Sequence, residues 1–226
     1  MFLVGLTGGI ASGKSTVSKI FNEEFKIPII DADLIARQVV LPDRTGWKRV
    51  RSLFGNEILN QDRTVNRDKL GEIIFSDREK MLNKALHGLI LLEILKQILL
   101  NLVKGERLVL LDIPLLFETK IGLSLLSYKL VVYCQSEEEQ LRRLMIRNPN
   151  LSEQEAKKRI QSQMNTADKL KLADYCIDNS KDLENTREQV KTIYSVLKKS
   201  KIYLWIRAFL FAGLAFGVFL LNKYLF

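Results

Sequence analysis

Eight consecutive residues near the start of the chain, Gly8-Gly9-Ile10-Ala11-Ser12-Gly13-Lys14-Ser15, have the types and spacing that grip a polyphosphate, G-x-x-x-x-G-K-[ST]. Glycines at 8, 9 and 13 let the backbone bend and come close to phosphate oxygens, so that successive N–H groups point into one anion-binding concavity. Lys14 would reach the β- and γ-phosphates of a nucleoside triphosphate, and the Ser15 hydroxyl would help hold Mg2+. Two further carboxylate positions invite chemistry. Asp112 ends an apolar run, the Walker B arrangement that positions Mg2+. Asp31 and Asp33 follow another apolar run, and two readings of them stand side by side. They lie near the phosphate loop if their strand neighbours the first one, or they form a turn in which Asp33 caps the next helix. His87, the single histidine, falls in helical text, where such a residue is usually structural.

These groups need elements to hold them. Phe2, Leu3, Val4 and Leu6 read as a buried strand, and after the loop Val17, Ile20, Phe21 and Phe25 recur at helical spacing. Strand, glycine loop, helix is the order that sets phosphates on a helix N-terminus, from Gly8 through Thr16. Further strands are expected at 27–30, 108–113, 129–134 and 175–177, with a short helix over 34–40. Residues 46–75 read as mostly helical with a turn near Asn60-Gln61-Asp62. A capping box at Ser76 opens a long helix to about Val103, apolar enough to be buried on most sides. Ser136 and Ser152 cap two basic helices that look like a lid over a nucleotide, spanning about 136–166. Their arginines would neutralise charge on a transferring phosphoryl group, although a solvated basic face is the commoner reason for such runs. A closing helix runs from Asp182 to Lys199. Strands alternating with helices give an α/β fold: a parallel five-stranded sheet covered by helices on both faces.

Composition narrows the classes. Five of the 35 basic residues and none of the 26 acidic ones follow Leu197, so the body is only mildly basic and carries no nucleic-acid footprint. Cys134 and Cys176 each sit in an apolar run and read as reduced core residues. The first strand begins at residue 2, so no secretory signal is expected. Ile202 to Leu221 is apolar or glycine except for Arg207, with Tyr203 and Trp205 at one end and Tyr224 beyond the other. That pattern predicts a transmembrane anchor over 202–221. Lys198, Lys199 and Lys201 would keep the body on the cytosolic side of a mitochondrial outer or endoplasmic reticulum membrane.

Taken together, VGLTGGIASGKST, DADLIAR, LDIPLLFET, QLRRLMIRN and ADYCIDNS resemble dephospho-coenzyme A kinase over residues 1–199, and the apolar tail is similar to that of the family's membrane-tailed animal members. The resemblance implies a P-loop kinase with a helical acceptor-binding region at about 60–104. It would transfer the γ-phosphoryl group of ATP to the ribose 3′-hydroxyl of dephospho-CoA, with Mg2+. On that likeness Asp33 is the base and Arg37 binds the acceptor. Asp31, His87 and Asp112 would also face the acceptor, Asp112 orienting metal or acceptor. Arg143 and Arg147 are the lid arginines, Arg143 a catalytic one, and Asn179 contacts the adenine. The sequence departs from the family pattern at Gly88, where proline is usual, and at Lys181, where glycine is usual. Two other readings remain: a P-loop kinase for another small alcohol, and a nucleotide-binding membrane adaptor that has lost catalysis. A GTPase is disfavoured, because Asp68-Lys69-Leu70-Gly71 lies in helix-like text and no N-K-x-D motif occurs.

Overall fold

The computed structural model describes residues 1–66, 69–70, 77–120 and 122–204, apart from the side chains at 77–80, 83 and 84. In chain order the elements are β1 (Phe2–Gly8), α1 (Lys14–Phe25), β2 (Ile29–Asp31), α2 (Ala32–Gln38), α3 (Thr45–Phe54), α4 (Asp77–Val103), β3 (Leu108–Asp112) and α5 (Leu116–Thr119). They continue with β4 (Leu126–Tyr133), α6 (Glu137–Arg147), α7 (Glu153–Gln161), α8 (Thr166–Leu172), β5 (Tyr175–Asp178) and α9 (Leu183–Lys199). The chain divides into two compact units, one of residues 1–29 with 101 onward, the other of residues 30–100.

The strands pair in the order β2-β3-β1-β4-β5, of which β3, β1, β4 and β5 belong to the first unit. The pairings of β1 with β3, β1 with β4 and β4 with β5 are all parallel. All seven residues of β1 are buried, as expected of a central strand covered on both faces. Phe2, Val4 and Leu6 point to one side, where α1 brings Val17, Ile20 and Phe21 and α9 brings Val190, Ile193 and Leu197. Gly5 points to the other side, where Leu116 and Leu126 leave no room for a side chain. Helices thus cover both faces, as the sequence pattern implies. The condition placed on the Asp31–Asp33 pair is not met: β3, not β2, lies beside β1. The reason is the crossover after β1, which skips one strand position that β3 later fills.

In the second unit Val50, Phe54, Ile58 and Leu70 form a small core. Residues 46–75 read as mostly helical with a turn near 60–62, and α3 covers the first part of that stretch. The helix stops at Phe54, where Gly55 takes φ 81, and an isolated antiparallel bridge from Leu59 to Val65 follows around the expected turn. The capping residue Ser76, and the letters Asp68 and Gly71, lie outside the described residues. Helix α4 is not buried on most sides. Leu92, Leu95, Leu99, Leu100 and Val103 are exposed, and Ile94 is the buried large apolar residue of its described part. An apolar run that continues all round a helix states how much could be covered, not how many neighbours the fold supplies. Ala85–Val103 is long and apolar enough to cross a membrane by length and composition alone.

Both cysteines are free, but only Cys134 is buried; Cys176 is exposed, because β5 is a four-residue edge strand. The region read as an anchor lies outside the described residues from 205 on. Its first residues, Ile202 and Tyr203, are half-buried against the main core, and the Arg107 guanidinium stacks on the Tyr203 ring at 4.2 Å.

Candidate active site

The loop from Gly8 to Lys14 takes the conformation its sequence encodes. Ala11 has φ 58 and Gly13 φ 90, both left-handed. Left-handed residues among right-handed ones turn neighbouring N–H groups toward a common side, which makes an anion nest. Ser12 N–H donates to Gly9 C=O at 3.1 Å, and the N–H groups of Thr16 and Val17 return to Gly13 C=O, starting α1. The open N–H groups of that helix end carry partial positive charge. Ser15 stands exposed in the first turn. The Lys14 ammonium pairs with the carboxylate of Asp112, which is 4 % exposed. Asp112 reaches it because β3 lies next to β1 with Leu6 and Asp112 in register.

Behind the loop, the side chain of Asn179 follows β5 and is fixed at both ends. Its Nδ2 donates to Ser12 C=O at 2.9 Å, and its Oδ1 accepts from Thr186 Oγ1 at 2.8 Å. Asn179 thus braces the loop from below. Arg143, on α6, donates to Glu139 and to the Asn179 carbonyl at 2.7 and 3.0 Å. Arg142 also binds Glu139, and the hydrogen bonds from Arg142 and then Arg143 hold the Glu139 carboxyl at about 2. Arg147 is exposed near the end of the same helix. The two helices expected after Ser136 and Ser152 form with those serines as N-caps, and a reciprocal capping box joins Ser152 and Glu155.

In the second unit it is Asp31, not Asp33, that caps α2: its side chain accepts from Leu34 N–H at 2.9 Å. Asp31 is the last residue of its strand, where an extended backbone lets the carboxylate turn onto the helix N-terminus. Asp33 is left exposed in the first turn. Asp33 and Arg37, one helical turn apart, form the polar part of a cavity of about 350 Å3 whose apolar wall includes Val40, Val50, Leu70 and Leu86. His87 is exposed on α4, and a Cβ at Gly88 would meet open space, so crowding does not explain the glycine there.

Four residues that the sequence reading did not single out stand around the loop. Gln140 of α6 donates to Ile10 C=O at 3.1 Å, and Gln163, in the turn before α8, accepts from Ile10 N–H at 2.9 Å. Lys169 is 1 % exposed and forms an ion pair of 2.9 Å with Glu118, which also accepts from Met164 N–H at 3.0 Å. Burial raises the Glu118 carboxyl, but Lys169 and the N–H groups of Glu118 and Met164 outweigh it, so it ionises below its ordinary range. Glutamines and a lysine on polar helix faces look like solvated surface. Only the fold shows which of them turn inward.

Among the described residues no group of three or more His, Cys, Asp or Glu side chains could hold a metal ion alone. The oxygens present, Ser15 Oγ and Asp112, suit a hard cation that keeps most of its ligands from a nucleotide's phosphates.

Comparison with known proteins agrees with this geometry. Residues 2–185 match the family profile described as CoaE, dephospho-CoA kinase. A Danio rerio protein named dephospho-CoA kinase domain-containing protein is 47 % identical over 216 residues, 95 % of this chain and 93 % of that one. The dephospho-CoA kinase of Carboxydothermus hydrogenoformans is 50 % identical over 193 residues, covering 84 % and 92 % of the two chains. The crystal structure of TT1252 from Thermus thermophilus superimposes with a TM-score of 0.71 at 31 % identity, covering 87 % of this chain and 97 % of that one.

Proposed function

The chain belongs to the dephospho-CoA kinase family, and from that membership we propose how its own residues carry the family's reaction. The protein is an enzyme that phosphorylates dephospho-CoA with ATP, a step of coenzyme A biosynthesis. We infer that the acceptor atom is the ribose 3′-hydroxyl.

The nest from Gly8 to Thr16 holds the triphosphate, its N–H groups facing phosphate oxygens. Lys14 leaves Asp112 for the β- and γ-phosphates, where its charge follows the negative charge that moves in the transition state. The Mg2+ that accompanies ATP supplies charge neutralisation between the phosphates, and Ser15 is the residue that would help hold it. Asp112, once free of Lys14, orients metal or acceptor. Asp33 takes the proton of the sugar hydroxyl as that oxygen attacks the γ-phosphorus, while the bond from the γ-phosphorus to the bridging oxygen breaks and ADP leaves. Arg37, a turn along, binds the acceptor together with Asp31 and His87. Arg143 and Arg147 supply positive charge from the lid side, and Asn179 lies by the adenine. The observation that carries this reading is the loop: a left-handed Gly13, a helix N-terminus and a lysine paired with the strand-end Asp112, all within one unit.

The test is an assay of the full chain with dephospho-CoA, adenosine and pantetheine as competing acceptors. Dephospho-CoA should be used and the other two ignored. Asp33→Asn should lower kcat by about 10^2 to 10^4-fold, with the affinity for ATP kept. A wild-type kcat in that variant removes Asp33 as the base, and no turnover of dephospho-CoA by the parent leaves the adaptor reading.

The apolar residues after Leu204 support a membrane anchor, with the kinase body on the cytosolic side of the mitochondrial outer or endoplasmic reticulum membrane. Because Ile202 and Tyr203 pack on the core, the span begins after them. Alkaline carbonate should leave the full chain in the membrane pellet and release a chain cut after Leu204; release of both would refute the anchor.

A further inference from the structure

Ile10 is a half-buried apolar residue of the phosphate loop, and it is held by both of its backbone groups from outside the loop. Gln163 Oε1 accepts its N–H at 2.9 Å, and Gln140 Nε2 donates to its C=O at 3.1 Å. The two glutamines come from separate elements, α6 and the turn between α7 and α8, and with Gly9 they line a cavity of about 190 Å3. Gln140 is 5 % exposed, and the space a Cβ would need at Gly9 is taken by its carboxamide. The turn that carries Gln163 is itself fixed. Met164 N–H donates to Glu118, and Glu118 pairs with the buried Lys169 of α8. Glu118 belongs to α5, which follows β3 and Asp112. Polar contacts therefore tie α5, the helix after β3, to the turn that carries Gln163, and that turn to the middle of the loop.

A glycine-rich loop needs such holding. Its residues have little side-chain packing of their own, and each unsatisfied or mobile N–H weakens the nest that receives the phosphates. The two bonds differ in polarity: one requires an acceptor at 163, the other a donor at 140. A carboxamide supplies either without adding charge beside a triphosphate. A glutamate at either place would set a negative charge near the phosphates, and a lysine at 163 could not accept.

We propose that Gln163 and Gln140 are positioning residues for phosphoryl transfer, which fix the N–H and C=O of Ile10 and so set the shape of the loop that takes up ATP. The proposal rests on the reading of that loop as the ATP site. Its action is on nucleotide geometry, through the backbone, and not on the acceptor.

The test uses the full chain with Gln163→Met and Gln140→Met, which keep side-chain length and remove the hydrogen bond. Binding of a non-hydrolysable ATP analogue is measured by calorimetry, and the two KM values by steady-state kinetics. The expected result is a loss of analogue affinity of about threefold to tenfold in each variant, the worth of one hydrogen bond. KM for ATP rises in step, and KM for dephospho-CoA stays within about twofold. Exchange of the Ile10 amide, followed by NMR, quickens by about tenfold or more in Gln163→Met and much less in Gln140→Met, because only Gln163 covers that N–H. Unchanged analogue binding in both folded variants overturns the proposal. So does an equal rise of both KM values with a matching fall in thermal stability, which marks mere structural damage. Analogue binding needs no acceptor, so a parent enzyme that failed to phosphorylate dephospho-CoA would still give a readable answer here.

Discussion

The Lys14 ammonium rests on the Asp112 carboxylate, joining the loop after β1 to the end of the neighbouring strand β3. If Lys14 meets ATP as proposed above, that cation is kept in place beforehand on a carboxylate with almost no contact with water. The arrangement costs little reorganisation when phosphate oxygens replace the carboxylate. Lys14→Ala should lower kcat/KM for ATP by about 10^2 to 10^3-fold. It should also abolish the rise in melting temperature that ATP gives the parent, which a thermal-shift titration reads directly. A variant that ATP still stabilises to the parent's extent would show that Lys14 does not contact the nucleotide.

Gly13 combines φ 90 with a Cβ position already occupied by the Asn179 carboxamide. Gly13→Ala meets two separate penalties, left-handed strain of roughly 1 kcal/mol or more and a collision with a side chain that braces Ser12. The expected destabilisation is about 2–4 kcal/mol in urea denaturation. Adding Asn179→Ala removes the collision but not the strain, so the double variant should be more stable than the sum of the singles implies. Strict additivity would separate the two residues.

Lys169 and Glu118 form a pair in which the cation is 1 % exposed. Lys169→Met leaves a half-buried carboxylate without its cation and should cost up to about 3 kcal/mol by chemical denaturation. Lys169→Met with Glu118→Gln should recover a good part of that, since the lone charge is gone. If the double variant is worse than Lys169→Met, the loss comes from packing and not from charge.

Glu139 ionises at about 2, held down by hydrogen bonds from Arg142 and then Arg143. Its carboxyl is lower in the folded chain than in the unfolded one. The stabilising contribution is therefore fully present above the ordinary glutamate range near 4.5 and is lost as pH falls from there through about 2. Since the Glu139 side chain keeps partial contact with solvent, the effect on overall stability is small. An NMR titration of the side-chain carboxyl checks it: a midpoint above 4 would show that the Arg143 contact does not persist in solution.

The bends of the loop, the apolar strand that ends in Asp112 and the caps at Ser136 and Ser152 were legible in the chain because each depends on neighbours in sequence. A left-handed Gly13, an N-cap at Ser136 or Ser152 and an apolar strand ending in Asp112 are local facts. The order of strands was not legible, so the sequence could not decide whether the strand before Asp31 and Asp33 neighbours β1; β3 takes that place. The covering of α4 was also hidden, because an all-round apolar pattern does not name its partners. Gln140, Gln163 and Lys169 escaped for a related reason. Polar side chains on helices and in turns point inward only where a distant backbone group or carboxylate waits for them. Asp31 took the capping role that local rules offered equally to Asp33, and only backbone angles decide between them.

The position of β1 sets an order of opening. Its seven residues are buried, and it has a parallel partner on each side. Solvent deuterium should reach the amides of Phe2–Gly8 later than those of the outlying strand β5 or the helices α6 and α7. The protein can then breathe at its margins, admitting and releasing ligands, while the root of its phosphate grip stays shut until the whole sheet comes apart.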